Sequence, residues 1–278
     1  MNQSPIDCAL VYDFDGTLAA GNCAEHGLFP ALGIEDADAF WSNVTAQAKE
    51  RDGEQILTYL GELALAARNA DRKEELRPER LRIHGAEIKL FPGVRDWFQR
   101  IDAFAAKQGL NIAHFIVSSG LEDMILGTPI AHHFRQVFAC RYHYDQDTGH
   151  AKWPSVAINY TTKTQYLFRI NKGIANRWDD AAVNQYIEAD QRPFPFRRMI
   201  YFGDGDTDIP SMKLVKQQGG FSLAVFDENH WQKKTTRDKI GKLIAEDRVS
   251  YVVPGNYTRG SQLDVTVKGL LQLFRRKT

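Results

Sequence analysis

Four short polar segments carry the residue types that could do chemistry. Asp13-Phe14-Asp15-Gly16-Thr17 sets two carboxylates two positions apart, directly after the apolar run Ile6 to Tyr12. Val117-Ser118-Ser119-Gly120 closes a second apolar run that begins at Asn111, and Gly203-Asp204-Gly205-Asp206-Thr207-Asp208 closes a third, Arg198 to Phe202. Lys163 opens an amphipathic stretch between them. Taken singly, each has an ordinary explanation: strand-end carboxylates and serines cap helices or line solvated turns, and most lysines are surface residues. Their coincidence carries more weight, because in an open parallel sheet the carboxyl ends of neighbouring strands converge on one crevice where ligands bind.

Asp204, Asp206 and Asp208 crowd one loop with negative charge, which calls for a cation or for raised pKa values. The spacing imitates the start of a calcium-binding EF-hand loop, but its sixth position is Ile209 where glycine is needed and its twelfth is Val215 where glutamate is needed. Asp13-x-Asp15 fails in the same way, with Leu18 and Ala24 at those positions. Mg²⁺, a hard cation that keeps several waters and few protein oxygens, suits these loops better. The adjacent His132 and His133 would point in different directions on a helix, and His84, His114, His143 and His150 show no ligand spacing. Tyr142, Tyr144, Trp153 and Tyr160 lack an accompanying basic stripe, so a hairpin core explains them better than base stacking.

The elements that must position these residues follow from the hydrophobic pattern. Apolar residues at Ile56, Tyr59, Leu60, Leu63 and Ala67 fall on one helix face; with helical stretches around Phe40 to Lys49 and Glu79 to Ile88, they make Ala19 to Phe91 a helical insert. Val94, Trp97, Ile101 and Phe104 mark the next helix, Asn111 to Val117 a buried strand stopping at Ser118, and Leu121 to Leu126 another helix. Arg141 to Asp145 and His150 to Trp153 pair as a hairpin across Asp147-Thr148-Gly149. Arg198 to Phe202, Phe221 to Phe226 and Val249 to Val253 supply further strands, while Asn171 to Arg192 is polar with only a short helical pattern near Ala181 to Ala189. The alternation predicts an α/β fold with a mostly parallel sheet covered on both faces.

A chain of 278 residues with 43% hydrophobic and 25% charged composition is neither disordered nor a membrane protein as a whole. Thirty-five basic and thirty-five acidic residues leave no bulk field toward nucleic acid or membrane, so neither is expected as a partner, and the oligomeric state is left open. Cys8, Cys23 and Cys140 are dispersed, without a CxxC spacing, and Met1 to Asp7 shows no basic stretch leading into an apolar one. Buried free thiols in a reducing cytoplasm are the expectation.

The four segments, in this order and at these strand ends, resemble the motifs of the haloacid dehalogenase superfamily, most closely its phosphoserine-phosphatase-like members. The resemblance runs from Asp13 to Asp208 and implies a three-layer Rossmann-like core, residues 1–18 and 92–278, with residues 19–91 forming a helical cap between the first and second motifs. It implies that Asp13 is the nucleophile that becomes an aspartyl phosphate, that Asp15 acts as acid and then base, and that Lys163 neutralises charge on the transferred group, with Lys152 and Lys172 as nearby rivals. The superfamily's dehalogenases lack a carboxylate at the position of Asp15, which favours phosphoryl transfer. Ser118 and the Ser119-Gly120 amides would bind phosphate, and Thr17 would orient the first loop or serve as a plain turn hydroxyl. Mg²⁺ would sit on Asp13, the Asp15 carbonyl and Asp204, with Asp208 holding a metal water or the lysine. By the same analogy the cap selects a small phosphorylated substrate, with Gly21 and Gly93 as candidate hinges and Glu25 and His26 either facing substrate or lying in a solvated loop. A phosphatase is the leading expectation; a phosphomutase on the same residues and a phosphometabolite-binding protein without turnover are the alternatives.

Overall fold

The computed structural model describes residues 6–205 and 207–276; Asp206 of the acidic loop and Lys277 of the basic run Arg275-Arg276-Lys277 lie outside the described residues. Strand β1 (Ile6–Tyr12) runs into the first polar segment. Five α-helices follow: α1 (Cys23–His26), α2 (Leu28–Leu32), α3 (Ala37–Glu50), α4 (Gln55–Asn69) and α5 (Pro78–Ala86). Asp36 and Glu54 start α3 and α4 by accepting the Ala39 and Leu57 amides, and Pro78 starts α5 with a ring already set for the first helical turn. Helix α6 (Val94–Lys107) leads to β2 (Leu110–Leu121), then α7 (Glu122–Leu126), β3 (Phe134–Tyr144) and β4 (Ala151–Val156). The chain continues through α8 (Thr162–Lys172), α9 (Asp180–Asn184), β5 (Met199–Gly203), α10 (Ile209–Gln217), β6 (Phe221–Phe226), α11 (Lys234–Ala245), β7 (Tyr251–Pro254) and α12 (Gln262–Arg276).

Among the described residues the strands form one seven-stranded sheet in the order β4-β3-β2-β1-β5-β6-β7. All neighbours are parallel except β3 and β4, which pair antiparallel as the expected hairpin, with Tyr144 opposite Ala151. Cys8 to Tyr12 of the central β1 are fully buried, as a strand covered on both faces requires. Helices α6 and α12 pack together on one face, and α8 and α10 on the other. This is the α/β, Rossmann-like arrangement expected from the sequence. The order reverses at β1, between β2 and β5, so the crevice at their carboxyl ends is the topological switch point.

Several boundaries differ from the sequence reading: β3 starts at Phe134 rather than Arg141, α9 ends at Asn184 and β7 starts at Tyr251, and one difference bears on the site. Strand β2 does not stop at Val117 but continues through Ser118, Ser119 and Gly120 to Leu121, and its pairing with β3 is irregular between Val117 and Leu121. The serines therefore sit in a distorted strand end rather than in a turn, because the chain stays extended until Glu122 begins α7. Helix α5 lies backbone against backbone on α7: a Cβ on Gly85 would stand 2.0 Å from the Met124 carbonyl oxygen, and one on Gly127 would stand 2.0 Å from that of Arg82. Ala20 N–H donates to Lys89 and Phe91 N–H to Leu18, so the two chain crossings between the helical segment and the sheet pair with each other.

The polar stretch after α8 is organised by a buried cation. Arg169 is fully buried and its guanidinium donates to the carbonyls of Asn176, Arg177 and Asp179 and to the Asp180 carboxylate. Lys172 Nζ donates to the Val183 and Gln185 carbonyls at the end of α9. Helix periodicity cannot reveal these bonds, because they join a helix to the irregular segment that follows it. Cys8, Cys23 and Cys140 are buried and form no disulfide among the described residues, where no helix is long and apolar enough to cross a membrane.

Arg169→Ala leaves the Asn176, Arg177 and Asp179 carbonyls without their donor and is expected to cost about 3 kcal/mol in denaturant unfolding and to open residues 175–184 to protease; unchanged stability and digestion would contradict that role. Asp264 is buried and pairs with Arg100 and Lys268. Burial alone would raise its carboxyl, but the Lys268 ammonium, the Gly260 amide and Arg100 outweigh it and hold the group below its ordinary value. A carboxyl depressed in the folded state gives stability that is present above its unfolded pKa of about 3.9 and is lost as pH falls through the lower folded value. Asp264→Asn is therefore expected to lower stability at pH 7 and to flatten the loss of stability below pH 4; a parallel pH profile would contradict this.

Candidate active site

Three strand ends and one helix start deliver the polar residues to the switch point. Asp13 follows β1 directly, and its amide donates to the Phe202 carbonyl on the neighbouring β5, which locks the loop to the strand. The Phe14 amide donates to Asp13 Oδ1, 2.8 Å away. Asp15 Oδ1 accepts the Cys23 amide at 2.8 Å, so the first turn of α1 aims this second carboxylate. Gly16 stands at φ 68 with Asp204 pressed against it: a Cβ there would lie 2.9 Å from the Asp204 Cβ, and only glycine meets both demands.

The centre of the cluster is Lys163, in the first turn of α8 and fully buried. Its ammonium lies 3.0 Å from Asp13 Oδ2 and 2.7 Å from Asp208 Oδ1, and donates to Thr207 Oγ1 at 3.1 Å. Lys152 pairs instead with Asp145, and Lys172 caps α9, so neither rival lysine reaches the site. Tyr201 donates to Asp208 Oδ1 at 2.6 Å, and Asp208 Oδ2 accepts the Asp204 amide at 3.1 Å. Asp208 is thus consumed in tying the acidic loop to the lysine.

Ser118 is buried and its Oγ accepts the Gly120 amide at 3.0 Å, which leaves the hydroxyl proton for another acceptor. Ser119 Oγ is buried without a hydrogen-bond partner among the described residues. Gly120 lies so near the first loop that a Cβ would stand 3.2 Å from Asp15 Oδ2. A cavity of about 330 Å³ is lined by Asp13, Asp15, Ser118, Ser119, Asp204 and Thr207 on the sheet side. Thr17 is not among the residues lining it; it is fully buried, and its carbonyl accepts the Tyr257 hydroxyl. Glu25 accepts the Trp41 indole N–H, and His26 Nε2 meets the Ala20 carbonyl, so both are engaged within the helical segment.

Burial dominates the electrostatics. It pushes the Asp13 carboxyl well above its ordinary value, Asp208, Asp204 and Asp15 add to the rise, and Lys163 opposes it. Asp15 is pushed up to about 7, first by burial, against the lowering effect of the Cys23 amide and thiol and of Lys163. Burial works against the Lys163 charge too, but the carboxylates of Asp13 and Asp208 more than reverse this and hold its pKa above the usual lysine value. One oxygen each from Asp13, Asp204 and Asp208 lies within 4.8 Å of the others. Lys239 reaches Asp204 Oδ2 at 3.3 Å, so two ammonium groups face this cluster of three carboxylates, with Asp15 a fourth beside it. An acidic, oxygen-only donor set with a deficit of positive charge fits a hard divalent cation.

Sequence reasoning missed the residues on the opposite wall. Trp41 from α3 and Ile56 and Tyr59 from α4 line the same cavity. Helical spacing marks Tyr59 as a buried position and cannot say that the residue lines a cavity.

The family model described as haloacid dehalogenase-like hydrolase matches residues 10–213. An uncharacterised protein of Borreliella burgdorferi is 28% identical over 285 residues, covering 95% of this chain and 96% of that protein. Among solved structures, a haloacid dehalogenase family hydrolase from Salmonella enterica serovar Typhi superposes with a TM-score of 0.56 at 16% identity, covering 96% of this chain and 72% of that one. A substrate-bound phosphoserine phosphatase superposes with a TM-score of 0.55 at 14% identity, covering 95% and 98%. At such identities these structural likenesses speak for the fold.

The buried pairing makes a direct prediction. Lys163→Met leaves Asp13 and Asp208 buried without their cation and is expected to destabilise the fold by about 3–5 kcal/mol in denaturant unfolding. A variant as stable as the parent would show that the lysine does not organise the site.

Proposed function

Since the chain belongs to the haloacid dehalogenase-like hydrolases, we propose that it is a Mg²⁺-dependent phosphomonoesterase that acts on a small phosphorylated metabolite through a covalent intermediate on Asp13. The observation that carries this reading is the pairing of Asp13 with the buried Lys163 ammonium, 3.0 Å away, at a cavity that also presents Asp15 and Ser118. The Asp13 carboxylate attacks phosphorus: a bond from its oxygen to phosphorus forms as the bond from phosphorus to the ester oxygen breaks. Asp15 gives a proton to the departing oxygen and then takes one from the water that attacks the aspartyl phosphate, which frees Asp13 and releases phosphate. Ser118, its oxygen already engaged by the Gly120 amide, donates to a phosphoryl oxygen, as does the Ser119 amide, whereas the Gly120 amide that the motif assigns to phosphate is spent on Ser118. Lys163 offsets the charge on the transferred group, while Thr17 holds the first loop from behind.

Asp13, the Asp15 carbonyl and Asp204, backed by Asp208, would hold Mg²⁺, which when bound supplies the positive charge that lets a carboxylate and a phosphate approach. We assign residues 19–91 as a cap domain that covers the site of a core made of residues 1–18 and 92–278. The enclosing wall of Trp41, Ile56 and Tyr59 supports that reading and favours small substrates over phosphoproteins. Buried thiols that form no disulfide support a reducing, cytoplasmic setting.

The test is release of phosphate from phenyl phosphate with Mg²⁺, with EDTA, and with Asp13→Asn. Metal-dependent release that falls at least about 10³-fold in the variant is expected. Full activity in Asp13→Asn would overturn the mechanism, and transfer of the phosphoryl group to an alcohol instead of water would redirect the reading to a mutase.

A further inference from the structure

The wall of the cavity opposite Asp13 carries its own chemical message. Tyr59 is 2% exposed, lines the cavity, and its hydroxyl has no hydrogen-bond partner among the described residues. Buried hydroxyls are nearly always paired, so an orphan beside a cavity is one whose partner arrives with the ligand. The Trp41 ring stands beside it, ring centroids 4.9 Å apart, and Ile56 adds an aliphatic surface. The indole N–H is spent on Glu25 Oε1 at 2.7 Å, which fixes the ring and leaves only its face for a ligand. The other Glu25 oxygen leans toward the cavity-lining Gly21, 3.4 Å from where a Cβ would stand.

Charge completes the picture. No Lys or Arg is among the described residues lining this cavity. Lys163 lies between Asp13 and Asp208, and Lys239 faces Asp204. A carboxylate or second phosphate on the alcohol part of a substrate would therefore be desolvated against aromatic and aliphatic side chains, with no cation to pair with and the Glu25 carboxylate close by.

We propose that Tyr59 and Trp41 determine specificity, and that the substrate is the phosphomonoester of an alcohol bearing no carboxylate or other anion. Its apolar face rests on the Trp41 ring, and a hydroxyl or other neutral polar atom pairs with the Tyr59 hydroxyl. This rests on the phosphatase reading and narrows it: the likeness in fold to phosphoserine phosphatase does not extend to an acidic leaving group.

The experiment compares kcat/KM for glycerol 2-phosphate and phenyl phosphate with that for phosphoserine and phosphoglycolate, in the parent protein and in Tyr59→Phe, whose ring is kept. The neutral esters are expected to be favoured by at least about 100-fold. Tyr59→Phe is expected to raise KM for glycerol 2-phosphate about tenfold with kcat changed less than about threefold, and to raise it less for phenyl phosphate, which offers no second polar atom. A preference for the acidic esters, or a loss in Tyr59→Phe that is equal for both neutral esters, would overturn the inference while leaving the phosphatase intact. Hydrolysis of none of the four by folded parent protein would overturn the phosphatase reading and this one with it.

Discussion

The structure depends on one buried ammonium. Lys163 stands between Asp13 and Asp208 with no solvent exposure, and each of the three comes from a different element of the chain. Desolvating like-charged carboxylates is costly, and the lysine offsets that cost only while β1, β5 and α8 hold their positions. The same contact therefore fixes the tertiary arrangement and keeps a carboxylate where the strand order reverses. Tyr201 and the Asp204 amide also donate to Asp208, so the acidic loop is tied to the lysine rather than left to repel Asp13.

Around that pair, local devices place the remaining groups. The Cys23 amide aims Asp15, the Gly120 amide orients Ser118, and Gly16 lets two loops approach closely at a positive φ. A second polar chain lies under the sheet: the Trp97 indole N–H donates to the Tyr12 hydroxyl, which meets His114, which in turn meets Asp102. It anchors β1 from the face of α6, so that the loop after β1 starts from a rigid strand.

Much of this is legible in the sequence because buried strands are apolar, and a polar residue at the end of such a run stands out. Asp13, Ser118 and Asp204 are visible for that reason, and Lys163 through its place between the motifs. The end of β2 is misjudged because serine and glycine resemble a turn, whereas the chain stays extended to Leu121. Arg169 is hidden because a buried arginine in a helix has no pattern of its own until its carbonyl partners are known. Tyr59 and Trp41 are the more consequential omissions. Helical periodicity reports which face is buried, and a ring packed in a core and a ring lining a cavity give the same signal.

The proposed mechanism turns on a bond between the Asp13 carboxylate and phosphorus. The most direct measurement is to quench the protein in acid during turnover of phenyl phosphate with Mg²⁺, reduce it with borohydride, and map the product by mass spectrometry. An acyl phosphate is reduced to the alcohol, so homoserine at position 13, with Asp15 unchanged, is the expected result. Continued turnover with Asp13 unmodified and another residue reduced in its place would contradict the account.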